Sequence, residues 1–209
     1  MQIAFIGYGE MGMQVHDLLK QKYAKLKPVY FDDGLYKSKI KNAYPFKDHT
    51  KDSFKKYSFV ICLGYKHAAL KTGMCKQLLK LDRKVLSFVH ASCFVNRSAS
   101  IGVGSVLYPM CNIDKEVRIG NAVLINNSVV ISHNAAIGNG CYLSPGVILS
   151  GNVTLGENSF LGTGVLVANG IKIGKNVVIG IGTVITKNIP DDSFVIGNPM
   201  RFVDSLQIH

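Results

Sequence analysis

Every sixth residue from Val89 to Ile185 is Val, Ile or Leu, without a break. The series is Val89, Val95, Ile101, Leu107, Ile113, Ile119, Ile125, Ile131, Ile137, Leu143, Leu149, Leu155, Leu161, Val167, Ile173, Ile179 and Ile185. A period of six is neither the 3.6 of a helix face nor the 2 of an alternating strand. A short fixed period with an apolar anchor is the signature of a solenoid. The anchor, position i, points inward and stacks on its counterpart in the next coil. Position i+4 is also small or apolar, as at Cys111, Val129, Cys141, Val147 and Val165, so two positions in six face a dry interior. Position i+1 is often Gly (Gly102, Gly120, Gly138, Gly156, Gly162, Gly174, Gly180). Glycine there is expected to serve a sharp bend through its tolerance of positive φ. No hexad is interrupted, so no long external loop is expected.

Charge divides the chain at the same place. Residues 1–88 carry 17 Lys/Arg against 7 Asp/Glu, whereas residues 89–209 carry 7 against 6. The basic first part suits either a solvated surface or attraction of an anionic substrate. Nucleic acid is not expected as a partner, because there is no long basic run and no recognition motif. The five cysteines have no paired spacing, which points to reduced thiols in a cytoplasm-like compartment. No signal-peptide pattern and no apolar run of about 18 residues is visible, so no membrane span is expected.

The first part reads as a small α/β unit over residues 1–86, with the repeat unit and tail over 87–209. QIAFI at 2–6 is a strand, followed by Gly7-Tyr8-Gly9-Glu10-Met11-Gly12 in G-x-G-x-x-G spacing. An amphipathic helix follows, with Val15, Leu18 and Leu19 on one face. A second strand at 29–31 ends in Asp32-Asp33, and a third at 59–63 runs into Gly64-Tyr65-Lys66 and a helix to Lys80. VLSFV at 85–89 leads into the repeats. A glycine loop between strand and helix suits a phosphate at the helix N-terminus, or tight packing of strand on helix. The acidic pair suits a ribose hydroxyl. The unit is too short for both halves of a dinucleotide fold, so a mononucleotide or nucleotide sugar is preferred to NAD.

A truncated Rossmann-like unit ahead of an unbroken hexad prism resembles the family of sialic-acid O-acetyltransferases and bacillosamine-type sugar N-acetyltransferases. The resemblance rests on the strand–glycine-loop start, Asp32-Asp33, Gly64-Tyr65-Lys66, the segment SHNAAIGNGCYLSPGVILSGNVTLG at 132–156 and the tail IPDDSFVIGNPMR at 189–201. It implies an α/β N-terminal domain followed by an all-β left-handed parallel β-helix, three hexads to a coil. It further implies a bacterial, cytoplasmic, homotrimeric enzyme. The reaction would move acetyl from acetyl-CoA, a co-substrate, to the amine of a nucleotide-linked 4-amino-4,6-dideoxy sugar. The alternative is O-acetylation of sialic acid or another polysaccharide precursor.

The resemblance makes His133 the general base, and imidazole chemistry near neutral pH suits the role. The family commonly has a carboxylate next, where this chain has Asn134. Gly151, one coil later, is implied to offer its N–H to the thioester oxygen, and Tyr142, Thr163 and Ile181 to line the acetyl-CoA groove. Gly7, Gly9, Glu10, Met11, Asp32, Asp33, Tyr65 and Lys66 occupy the nucleotide-sugar positions, although the family's Ser and His are missing from the loop. A zinc enzyme is disfavoured: three histidine ligands are needed, and the prism offers only His90 and His133. No metal is therefore expected.

Overall fold

A computed structural model describes residues 1–204. The chain divides into two compact units, Met1–Ser87 and Phe88–His209.

The first unit contains β1 (Gln2–Ile6), α1 (Glu10–Lys22), β2 (Lys27–Phe31), α2 (Asp33–Lys37), β3 (Ala43–Tyr44), β4 (Ser58–Ile61), α3 (Ala68–Lys80) and β5 (Lys84–Val85). The strands form one parallel sheet in the order β3-β2-β1-β4-β5. Ile3, Ala4, Phe5 and Ile6 in β1 are all fully buried, as a parallel strand covered on both faces requires. Strand order reverses between β1 and β4, which opens a crevice at their C-terminal ends. Two 3-10 turns, Phe46–Thr50 and Asp52–Phe54, link β3 to β4.

One expectation is refined. In α1 the buried stripe is Gly12, Val15, His16 and Leu19; Leu18 is only half-buried. The His16 ring is held inward by a hydrogen bond between its Nδ1 and the Tyr8 hydroxyl and by Phe5, 4.9 Å away between centroids. The run 85–89 leads into the repeats as expected, by way of two short strands, Lys84–Val85 and Phe88–Val89. Leu86 N–H still bonds Phe59 O in the first sheet, whereas Phe88–Val89 pairs with Val106–Leu107 in the repeat unit.

The second unit is a left-handed parallel β-helix. Its seventeen two-residue strands run from Phe88–Val89 to Val184–Ile185, each ending on an anchor residue. They stack in three faces. The first face runs from Phe94–Val95 to Val184–Ile185, the second from Ser100–Ile101 to Lys172–Ile173, and the third from Phe88–Val89 to Val178–Ile179. Partners are eighteen residues apart throughout, as in Ile113↔Ile131 and Ile131↔Leu149. Phe194–Ile196 and Arg201–Phe202 extend the third face, the last pair antiparallel.

Anchors and i+4 residues fill the interior, which is lined by Leu107, Ile113, Val129, Ile131, Cys141, Val147 and Leu149, among others, each at most 1% exposed. Hydroxyls at i+4 are tolerated because each is satisfied. Ser159 Oγ donates to Gly174 O at 2.9 Å and accepts from Val177 N at 3.0 Å.

The reason for glycine at i+1 is also corrected. None of those seven glycines has positive φ. The left-handed residue is i+3: from Gly104 to Gly182, fourteen consecutive hexads have φ between 53° and 76° there. Gly, Asn, Ser and even Met110 occupy that site. Glycine at i+1 answers a different need, close stacking. A Cβ on Gly156 would lie 2.4 Å from the backbone carbon of Gly174 in the next coil.

Candidate active site

His133 sits at i+2 in the turn from the first face to the second and is half-buried. The next residue, Asn134, is the left-handed position of that turn, with φ 61°. Asparagine tolerates this conformation better than most side chains. The turn also aims its carboxamide at the ring: His133 Nδ1 lies 3.0 Å from Asn134 Oδ1. An amide oxygen only accepts, so Nδ1 carries the proton and the lone pair lies on Nε2. Asn134 therefore fixes the tautomer, as a carboxylate would, without adding negative charge.

The next coil places Gly151 against this ring. Asn152 N–H donates to His133 O at 2.9 Å, a cross-coil bond that recurs at most of these turns. A Cβ on Gly151 would lie 2.5 Å from both Nε2 and Cε1 of His133. Glycine is thus required for the imidazole to stand where it does. Among the described residues the Gly151 N–H has no hydrogen-bond partner. One coil further, Asn169 brings Nδ2 to 2.9 Å from the same Cβ position. The three residues line one edge of the prism at eighteen-residue intervals. Sequence reasoning found His133 and Gly151 but not Asn169; its spacing was the available signal.

The remaining expected residues of this unit lie elsewhere on the chain. Tyr142 stands on the third face, half-buried, its ring 5.5 Å from that of Phe160. Thr163 and Ile181 lie on the edge between the third and first faces, and Ile181 is 78% exposed. One copy of the chain does not bring them to His133, because the triangular section puts successive turns on different edges.

In the first unit the glycine loop and the turn after β4 meet at the crevice. Gly7 has φ 78° and donates to Phe31 O at 3.0 Å. A Cβ on Gly12 would lie 2.8 Å from Gly7 O, so this glycine permits helix and loop to touch. Gly9 caps α1, Glu10 stands in its first turn beside Met11, and Tyr65 and Lys66 are exposed in the turn after β4. The carboxylate of Glu10 places negative charge where a phosphate would otherwise meet only helix N–H groups.

The acidic pair is committed to the backbone. Asp32 Oδ2 accepts from Tyr8 N at 2.9 Å, and Oδ1 accepts from Gly34 N and Leu35 N at 2.9 and 3.0 Å. Asp33 Oδ1 accepts from Phe46 N at 2.9 Å. Asp32 is thus the N-cap of α2 and a brace for the glycine loop.

A groove of about 540 Å³ beside α1 and β2, lined by His16, Lys20, Tyr23 and Pro28, opens at the start of β2 rather than at the strand ends where parallel sheets bind ligands. Burial pushes the Cys62 thiol up to about 12, which disqualifies it as a nucleophile near neutral pH. Among the described residues no group of three His, Cys, Asp or Glu is placed to hold a metal ion. No described helix is long and apolar enough to cross a membrane.

Residues 116–151 match the family model "Bacterial transferase hexapeptide (six repeats)". No curated protein matches the chain by sequence. Among solved structures, the acetyltransferase domain of PglB from Neisseria gonorrhoeae FA1090 is similar, with a TM-score of 0.84 and 26% identity over 97% of this chain and 99% of that one. The same domain in complex with acetyl coenzyme A gives 0.81 and 25%, over 97% and 98%. PerB from Caulobacter crescentus, in complex with CoA and GDP-perosamine, shares the fold with a TM-score of 0.88 at 23% identity, over 98% of both chains. With its unbroken hexads and stacked coils, the chain carries the bacterial transferase hexapeptide repeat over residues 116–151 and is similar to the PglB acetyltransferase domain over nearly its whole length.

Proposed function

We propose that the chain transfers acetyl from acetyl-CoA directly to the amine of a nucleotide-linked 4-amino-4,6-dideoxy sugar, with His133 as general base. The observation that carries this reading is the His133 ring, set in one tautomer by Asn134 at 3.0 Å and packed against the bare backbone of Gly151. The likeness to a domain solved with acetyl coenzyme A supports the donor. The glycine loop and the Tyr65-Lys66 turn at the sheet crevice, in a fold that PerB shares, support a nucleotide-linked acceptor.

The amine nitrogen attacks the thioester carbon and Nε2 of His133 takes its proton. The N–C bond forms and the carbonyl pair moves to oxygen, where the Gly151 N–H donates. Such a donor is worth on the order of 3 kcal/mol in the transition state. The C–S bond then breaks, and the departing CoA sulfur receives the proton from the imidazolium. Asn134 orients the ring but gives its cation less support than a carboxylate would.

Homotrimerisation belongs to the same proposal. His133 and Gly151 lie on one edge of the prism and Thr163 and Ile181 on another, so a second copy is needed to close a groove over acetyl-CoA. The outward row of the first face supplies an apolar surface for that contact: Phe94 is 59% exposed, and Ile148 and Leu166 are each 41% exposed. Five cysteines, none of them in a disulfide, support a reducing, cytoplasmic setting.

Thiol release from acetyl-CoA, measured with a panel of UDP-, dTDP- and GDP-linked amino sugars and with sialic acid, tests the reading. Turnover is expected with an amino-sugar nucleotide, and His133→Ala is expected to lower kcat by about 10²–10⁴-fold. Turnover with hydroxyl acceptors alone would replace N- by O-acetylation, and unchanged turnover in His133→Ala would remove the general base.

A further inference from the structure

We infer that Asn169 is a further catalytic residue, whose side-chain amide donates a second hydrogen bond to the acyl oxygen as the tetrahedral intermediate forms. The inference rests on the acetyl-transfer reading above. It comes from the stacking of the coils. Gly170 N–H donates to Gly151 O at 2.9 Å, which seats the turn of Asn169 directly on that of Gly151. Asn169 Nδ2 lies 2.9 Å from the point a Cβ of residue 151 would occupy, and His133 Nε2 lies 2.5 Å from that same point. Base and carboxamide therefore converge on the bare side of Gly151, an approach possible only because residue 151 has no side chain.

The neighbouring edge shows what an asparagine at i+2 does when its role is structural. There Asn121 Oδ1 accepts from Val103 N at 2.8 Å, and Asn139 Oδ1 accepts from Asn121 N at 2.7 Å. Each asparagine caps the amide one coil below, so the ladder consumes both groups. Asn169 occupies the equivalent place above Gly151 but makes no such bond among the described residues. Its carboxamide and the Gly151 N–H both stay available, on the edge that carries His133. Lys187, beyond the last strand of the first face, does not compete for the space, because its ammonium lies over the Phe202 ring at 5.8 Å.

The step balances with groups already named. As the amine nitrogen bonds to the acetyl carbon, the carbonyl π pair becomes an oxyanion held by Gly151 N–H and Asn169 Nδ2–H. When the pair returns, the C–S bond breaks and the proton passes from His133 to sulfur. A donor that acts only on the oxyanion lowers kcat and kcat/KM together when it is removed.

Asn169→Ala is therefore expected to reduce kcat by about 10²–10³-fold. KM for acetyl-CoA should stay near the wild-type value, and the exposed site should leave the melting temperature nearly unchanged. Asn169→Asp, of the same size but without the N–H donor, should lose at least as much and keeps the test open if the alanine variant folds poorly. Wild-type kcat in either variant, or a raised KM with kcat intact, overturns the inference and leaves the transfer reading standing. Absence of transfer by the wild-type chain overturns the transfer reading itself.

Discussion

Asn134 fills two requirements with one side chain. It adopts the left-handed turn position at φ 61°, and its oxygen lies 3.0 Å from His133 Nδ1. Gly151 has the converse character: it is needed for what it lacks. Gly151→Ala puts a methyl where the imidazole now stands, 2.5 Å from Nε2. The ring must move by about an ångström, and a misplacement of that size costs roughly 10²-fold in rate. Steady-state kinetics should show that loss in kcat, while circular dichroism remains that of the wild type. A kcat within twofold of wild type would mean that the ring position does not matter. His133 and Gly151 were legible in the sequence through the resemblance and the eighteen-residue spacing. Asn169 and the bracing role of Asp32 were not. Each depends on which backbone amide a side chain meets, and a linear pattern does not encode that.

At the scale of elements the hexad was read well for its interior and less well for its turns. Anchors and i+4 residues are inward because dry burial selects residue type directly. Gly, Asn and Ser recur at i+3, which was the available signal of the left-handed turn; the glycines at i+1 instead answer close stacking. In α1 the buried His16 escaped the apolar pattern because its place is fixed by Tyr8 and Phe5. Burial first, and the Lys20 charge second, hold its pKa below the ordinary value. The unfolded chain therefore binds the proton more readily than the fold does. Stability is fully present above the unfolded pKa of about 6.5 and is lost as pH falls below it toward the folded value. Urea unfolding of the full chain should show wild type losing more stability between pH 7 and pH 5 than His16→Gln. Equal losses would show that this histidine does not contribute to the acid slope.

At the scale of the molecule, the three faces of the prism differ in what they present outward. The second face is mostly polar, with Ser100, Arg118, Thr154 and Lys172 all exposed. The first bears Phe94, Ile148 and Leu166, and an exposed apolar row of this kind marks a contact surface. Paired substitution of Ile148→Lys and Leu166→Lys should convert the proposed trimer to monomer in sedimentation experiments. It should lower turnover as well, since the proposed acetyl-CoA groove spans two copies. A trimer that survives both charges would place the interface on another face. By itself the sequence determined the stacked coils and the dry core, and its family resemblance pointed to the candidate base. A period of six carries information only about which residues point inward and how far apart equivalent turns lie. The tertiary structure decided the rest: the pairing of His133 with Asn134, the convergence of His133 and Asn169 on Gly151, the bonding of Asp32 to backbone amides and the separation of Thr163 and Ile181 from the base. These are settled by distances between atoms of different coils or strands, and such distances exist only once the chain has closed on itself.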